Sequence, residues 1–327
     1  METQDSRLVA LLTLIDLLPD LPACAHKRGR PPAYDDRLFV KAIVVMLVRR
    51  VTTVNGLLSV LAEETPQMQA LRILLTESGR FPSRRTWERR LWSVVPRLPE
   101  YIASLGHHLL ALIQPWQQSG RAVAVDSTAL RACGGVWHTK HREAGIVPHS
   151  SIDTEASWSK SGWHGWWYGW KLHVVCTVGP CWIPLAARLT DASQSDGAIG
   201  LALLQTLPPE VHLILGDHHY HTKDIQAFCA QTNRLLVCSR GTGKAKADDP
   251  GRQVRRILHK LRSTTVENWN EHFKNLFEGH SQVPTKGKIA TQRFILGAVL
   301  VYQLILWYRF LHAQDLRRGL KPFLKAC

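Results

Sequence analysis

The chain has 327 residues, with 41 Lys and Arg against 26 Asp and Glu, a formal net charge of +15 and a pI near 9.8. Apolar residues make up 45% of it, enough for a sizeable core and too many for a chain that stays disordered, and about 150 residues per domain suggests two domains. The positive charge is spread along the chain and favours a polyanionic partner, while seven cysteines at irregular spacing with no CxxC pair suggest no disulfide framework and fit a reducing cytoplasm. Glu2 and Asp5 do not suit a basic-then-apolar signal peptide, and no internal repeat is visible.

In chain order, the first 115 residues read as mostly helical, with apolar positions at helical spacing in "RLVALLTLIDLL", "RLFVKAIVVMLVRR" and "LWSVVPRLPEYIASLGHHLLALI". Between the first two lies "KRGRPPAYDD". Its paired prolines bar a helix, and Lys27, Arg28 and Arg30 make it a basic arm. In "FPSRRTWERRLW", Ser83 is placed to cap a helix whose first two turns carry Arg84, Arg85, Arg89 and Arg90. Arg85 and Arg89 are four apart and share a face. A basic helix that follows another helix is what a helix-turn-helix reader presents to DNA, and equally what a small helical domain presents to solvent.

At "QPWQQSG" the pattern changes. Strand-like segments follow in "AVAVDSTAL", "WKLHVVCTV", "WIPLAARLTD", "VHLILGD" and "RLLVCSRG", with "GAIGLALLQTL" as a helix between the third and fourth. Helical periodicity returns in "QVRRILHKLRSTTVENWNEHFKNLF". The expected organisation is therefore a helical domain over 1–115 and, over 116–327, a mixed sheet covered by helices. The apolar "FILGAVLVYQLILWY" is shorter than the ~20 residues of a membrane span and reads as a core helix.

Two acids end apolar runs: Asp126 after "AVAV" and Asp217 after "VHLIL". Carboxylates at strand ends, where the core wall meets solvent, can share a metal ion. Mg²⁺ takes a few carboxylate oxygens and keeps other positions for water and phosphate, which suits phosphoryl transfer. A third acid is expected from a helix packed on the sheet. At about 100° per residue, Val266, Trp269, Phe273, Leu276 and Phe277 form one apolar face, with Glu267 and Lys274 on its flank and Glu271 turned further out, so Glu267 is the favoured third acid.

The order Asp, Asp, Glu in "VDST", "LGDHHYHT" and "VENWNEHFK" resembles the DDE transposases of bacterial insertion sequences, in the compact form without an insertion domain. "SGWHGWWYGWKLH" is similar to that family's glycine-aromatic-lysine strand, and "GRPPAYDDRL" and "PSRRTWERRL" resemble parts of its helical front end. There are departures. His219 stands where glycine is usual two positions after the second Asp, although Tyr220 is kept. Near Glu267, Lys274 fits the family's pattern, Arg262 is one position out of register, and Lys260 occupies the tyrosine position.

The resemblance implies a ribonuclease H-like catalytic domain behind an all-helical DNA-binding domain. It implies Asp126, Asp217 and Glu267 as catalytic metal ligands for Mg²⁺, with Mn²⁺ as a substitute, in cleavage at an element's ends and transfer of the freed 3′-hydroxyl. Lys274, Lys171 and Arg262, with Arg84, Arg85, Arg89 and Arg30 in front, are then the expected DNA contacts. The expected partners are double-stranded DNA, as terminal inverted repeats and target, and a second copy of the chain on that DNA, with no membrane, in the cytoplasm at the nucleoid. Rival readings are a transposase-derived DNA binder that no longer cuts, a nuclease without strand transfer, and a zinc hydrolase using Asp217 with His218, His219 and His221. The tryptophans Trp158, Trp163, Trp166, Trp167 and Trp170 read as core packing around a loop, with base stacking as the alternative.

Overall fold

A computed structural model describes residues 6–19, 21, 33–117, 121–162, 165–238, 251–277 and 282–327. The basic arm with Lys27, Arg28 and Arg30 lies outside the described residues, as does Trp163.

The chain opens with α1 (Ser6–Asp16), α2 (Asp36–Val48), α3 (Val54–Leu61), α4 (Pro66–Leu74), α5 (Arg84–Ser93) and α6 (Leu98–Gln117). It continues through β1 (Ala122–Arg131), α7 (Thr139–Glu143), β2 (Ser157–Ser161), β3 (Gly165–Thr177), β4 (Pro184–Asp191), α8 (Asp196–Leu204), β5 (Leu213–Gly216), α9 (Lys223–Gln231) and β6 (Leu235–Cys238). It ends with α10 (Arg252–Arg262), a π-helical turn over Ser263–Glu267, α11 (Asn268–Phe277), α12 (Lys288–Leu311) and α13 (Lys321–Lys325).

Two compact units result: Met1–Leu105 with Ile289–Cys327, and Gly106–Lys288. The division falls inside α6 rather than at residue 115. The C-terminal residues group with the first unit, because α12 is apolar on nearly every side and needs a full helical surround. A Cβ on Gly297 would lie 2.6 Å from Ile43 Cγ2 and 2.8 Å from Leu47 Cδ1, so the glycine is what lets α12 approach α2. Gln303, fully buried in α12, donates from Nε2 to the Ile102 carbonyl at 2.8 Å. By length and composition α12 could cross a membrane, yet 83% of its most apolar window is buried inside the protein.

In the first unit, α5 starts as expected: the Ser83 hydroxyl accepts from the Thr86 N–H and caps the helix. Trp87 and Leu91 are buried on its inner face, Trp87 edge-on to Phe39 at 5.2 Å. Arg90 turns inward with them and pairs with Asp36 at 2.6 Å, as Arg97 does at 2.5 Å. Arg84, Arg85 and Arg89 stay exposed. The helical spacing of apolar residues from Leu91 to Ile113 is interrupted by a 3-10 turn at Val95–Arg97, where Pro96 lacks the N–H that an α-helix would use. Residues 75–83 between α4 and α5 fold on a Glu77–Arg80 bridge and exceed the roughly three- to four-residue turn of a helix-turn-helix.

The second unit is built on a six-stranded sheet in which β2–β3–β1–β5–β6 follow in order and β4 also pairs with β3. β3 is antiparallel to β1, β2 and β4, whereas β5 runs parallel to β1 and β6 parallel to β5. This order and polarity, with helices packed on the sheet, is the ribonuclease H-like arrangement. Val123, Ala124 and Val125 are fully buried because helices cover both faces, which is why the run reads as continuous rather than alternating. Gly169 in β3 is required by close backbone approach: a Cβ there would meet the Leu130 carbonyl oxygen of β1 at 2.1 Å.

Candidate active site

Parallel pairing brings the first two acids together. β1 and β5 register Ala122 with Leu213 and Ala124 with Leu215. Continued by two residues, that register sets Asp126 beside Asp217. Past Gly216 the chain turns, and Asp217 caps a 3-10 turn, its Oδ1 accepting from the His219 N–H at 2.8 Å. His219 does not have positive φ, so the turn does not need the glycine expected there. Tyr220 is buried against α8, where a Cβ on Gly200 would come within 2.6 Å of its ring.

Glu267 completes the set. It shares with Asp126 and Asp217 one cleft of about 960 Å³, lined also by Lys171, Asp196, His218 and His219. Val266, Trp269 and Phe273 are buried on the inner side of the helix, and Glu271 is exposed, as the helical phase predicts. Leu276, Phe277 and Glu278 have side chains outside the described residues.

Arg262 differs from the DNA-contacting role expected of it. Its side chain is buried, with Nη2 2.5 Å from Glu267 Oε1 and Nη1 3.6 Å from Asp126 Oδ1. The physical reason is the π turn, which brings residues five apart onto one side of the helix. Two residues that the sequence reading passed over support the acids. Asn270 donates from Nδ2 to Asp126 Oδ2 at 3.3 Å, and the Ser263 hydroxyl donates to Glu267 Oε1 at 3.1 Å. Asn270 was findable, being three residues after Glu267 and one turn along the same flank.

Burial pushes the Asp126 carboxyl up to about 7; Arg262 and the Ser127 N–H oppose the shift, while Asp217 and Glu267 add to it. A carboxyl crowded by two others and only 15% exposed at its side chain is a group that a cation would stabilise. In this state the guanidinium of Arg262 supplies that charge. An oxygen-only set of three carboxylates suits a hard divalent ion. Asp217, His218 and His219 also present ligand atoms within 4.8 Å of one another, whereas the His221 ring lies against the Gln226 amide at 3.3 Å.

The remaining expected residues are distributed as follows. Lys171 lines the cleft but is paired with Asp196 at 3.2 Å and donates to the Gln194 carbonyl at 3.1 Å. Lys274 is half-buried outside the cleft lining; burial lowers its ammonium pKa and Asp126 opposes this. Arg84 is exposed and bonded to Glu88 at 2.9 Å. Trp170 and Trp167 are buried in β3, Trp158 donates to the Trp137 carbonyl, and Trp166 is 67% exposed. Two further acids near strand edges, Asp153 and Asp191, do not line the cleft: Asp153 is buried and accepts from the Gly287 N–H, and Asp191 accepts from Ser193 and Gln194 and so braces a loop of the cleft wall.

Fold and cleft define a ribonuclease H-like domain with Asp126 midway along β1, Asp217 just past the end of β5 and Glu267 on the helix beside them; Asp126 is not at a strand end as expected, because β1 runs on to Arg131 against β3. The family described as Transposase DDE domain matches residues 117–304, more than half of the chain, and the chain belongs to that family. Among solved structures it is similar to a piggyBac transposase synaptic complex with hairpin DNA, at 11% identity and a TM-score of 0.42 over 99% of this chain and 76% of that one. It is also similar to a Mos1 transposase paired-end complex with the left transposon end, at 15% identity and a TM-score of 0.22 over 90% and 83%. No curated protein matches.

Proposed function

We propose that this transposase cleaves DNA at the ends of a mobile element and joins the freed 3′-hydroxyl ends to target DNA. The observation that carries the reading is that Asp126, Asp217 and Glu267 line one cleft. These carboxylates would hold Mg²⁺, with Mn²⁺ as substitute. Bound there, two such ions would supply charge stabilisation to the attacking and leaving oxygens of an in-line displacement at phosphorus. Asn270 and Ser263 fix the orientation of Asp126 and Glu267 from the helix side. Lys171, on the cleft wall, faces the phosphate backbone, with Lys274 behind Asp126. Arg84, Arg85 and Arg89 contact DNA from the first unit, as does Arg30 in the basic arm. The protein works as a dimer on DNA, in the cytoplasm at the nucleoid.

A second reading, a DNA binder that no longer cuts, is favoured by Arg262, whose guanidinium already neutralises Asp126 and Glu267. The deciding experiment is Mg²⁺-dependent cleavage and joining of a labelled duplex ending in the element's terminal repeat, with wild type and Asp217→Asn. Cleaved and joined strands from the wild type alone support the proposal; cleavage without joining makes the protein a nuclease; binding by both with no products makes it a binder.

A further inference from the structure

The first unit contains a second cavity, of about 300 Å³, walled by the start of α3, the outer side of α5 and the first turns of α12. Its lining includes Thr52, Thr53, Asn55, Arg84, Trp92 and Arg293. Arg293 is half-buried and donates from Nη2 to the Thr52 carbonyl at 2.7 Å. Among the described residues no acid pairs with it, and burial alone lowers its pKa. A guanidinium has five N–H donors in a planar fork, so the one bond to Thr52 leaves most of its donors for an incoming acceptor. The cavity's one acid, Glu88, is held by Arg84 at 2.9 Å. Two arginines against one glutamate leave the pocket positive.

Trp92 is the second unusual feature. It is 63% exposed although tryptophan is a residue that folding tends to cover, and an exposed ring beside arginines is the composition of a binding hot spot. Arg85, Arg89 and Trp92 stand four and three residues apart on α5, so they form one exposed stripe that runs into the pocket.

We propose that this pocket is a phosphate-binding site for duplex DNA, in which Arg293 and Arg84 engage a backbone phosphate and Trp92 packs against the adjoining sugar. It rests on the reading of the protein as a DNA-binding transposase and adds Arg293 and Trp92, which lie some 200 residues apart in the chain, to the DNA-contacting surface.

The test is fluorescence anisotropy of the full chain on a labelled mixed-sequence duplex, as salt is raised from about 50 to about 200 mM, with thermal melting of each variant. Arg293→Gln is expected to reduce the slope of log K against log salt by about 0.9, the release of one phosphate contact, which is a roughly threefold smaller loss of affinity over that range. Trp92→Ala is expected to weaken binding by the same factor at every salt concentration with the slope unchanged. Arg317→Gln, which removes an equal charge elsewhere in the unit, leaves both unchanged. A merely structural Arg293 would lower the melting temperature and leave the slope at the wild-type value, and that result overturns the proposal. Wild type that binds no duplex at all overturns the DNA-binding reading with it, so the two failures are distinct.

Discussion

Substituting His173 by glutamine should remove a pH-dependent share of stability whose size follows from the packing of β3. His173 is fully buried, with Nε2 2.9 Å from the Thr190 hydroxyl. That hydroxyl donates to the Asp191 carbonyl at 3.0 Å, so it accepts from Nε2–H and leaves the lone pair on Nδ1. Nδ1 lies 3.6 Å from Asp196 Oδ1 and has no hydrogen-bond partner. Burial lowers the imidazole pKa from 6.5 to about 4; Asp196 resists the shift, and Lys171 and Arg188 reinforce it. The unfolded chain therefore binds a proton near pH 6.5 that the folded chain refuses until about pH 4. Between those values the unfolded state holds more protons, and stability falls as pH falls. At about 1.4 kcal/mol per pH unit, the whole window is worth roughly 3 kcal/mol and the interval from pH 7 to 5 about 2 kcal/mol. Gln keeps a donor to Thr190 but does not titrate. Urea unfolding of both proteins at pH 7 and pH 5 should show the wild type losing about 2 kcal/mol more than His173→Gln. Equal losses would refute the account of a neutral imidazole held by burial.

Gly169→Ala would force a methyl into the backbone of β1, 2.1 Å from the Leu130 oxygen, so it should cost more than the about 1–3 kcal/mol of ordinary overpacking and be read as a large fall in melting temperature. Arg262→Met removes the cation between Asp126 and Glu267. Because Glu267 is 49% exposed, the metal-free protein should lose on the order of 2 kcal/mol at pH 8, below the cost for a fully buried pair, while calorimetry should show Mg²⁺ binding tighter than in wild type. Weaker Mg²⁺ binding in that variant would mean that Arg262 supports the acids rather than substituting for a cation.

Asp126 and Asp217 were legible because each ends a short apolar run, and a run's length fixes how deep a strand is buried before its first polar residue. The sheet then needed only parallel pairing to align them. Glu267 was legible from helical phase, since Val266, Trp269 and Phe273 fix the buried side. The placement of α12 with the first unit was not, because an all-apolar helix carries no stripe to say which neighbours it wants. The break at Pro96 was hidden by apolar spacing that continues across it. Thr52, Trp92 and Arg293 meet only through tertiary packing, and no local pattern links them.

The environment of Arg262 shows most clearly what spacing alone misses. Five residues along an α-helix turn through about 500°, which leaves the two side chains some 140° apart. Arg262 would then point away from Glu267. Shifting the helix phase to correct this would rotate Val266, Trp269 and Phe273 out of a core where they are 0%, 0% and 1% exposed, at a cost of several buried side chains. The chain instead widens one turn over Ser263–Glu267, where i to i+5 bonding aligns residues five apart. Such a turn disturbs the regular backbone ladder, and local side chains bond its carbonyls: the Thr264 hydroxyl donates to the Lys260 carbonyl at 3.0 Å and Asn268 Nδ2 to that of Thr264 at 3.1 Å. A one-residue departure from the family's Arg-to-Glu spacing is thus absorbed within a single turn. The core anchors of α11 and the place of Glu267 in one cleft with Asp126 and Asp217 are kept together, and the arginine is drawn in as the cation between two of the acids.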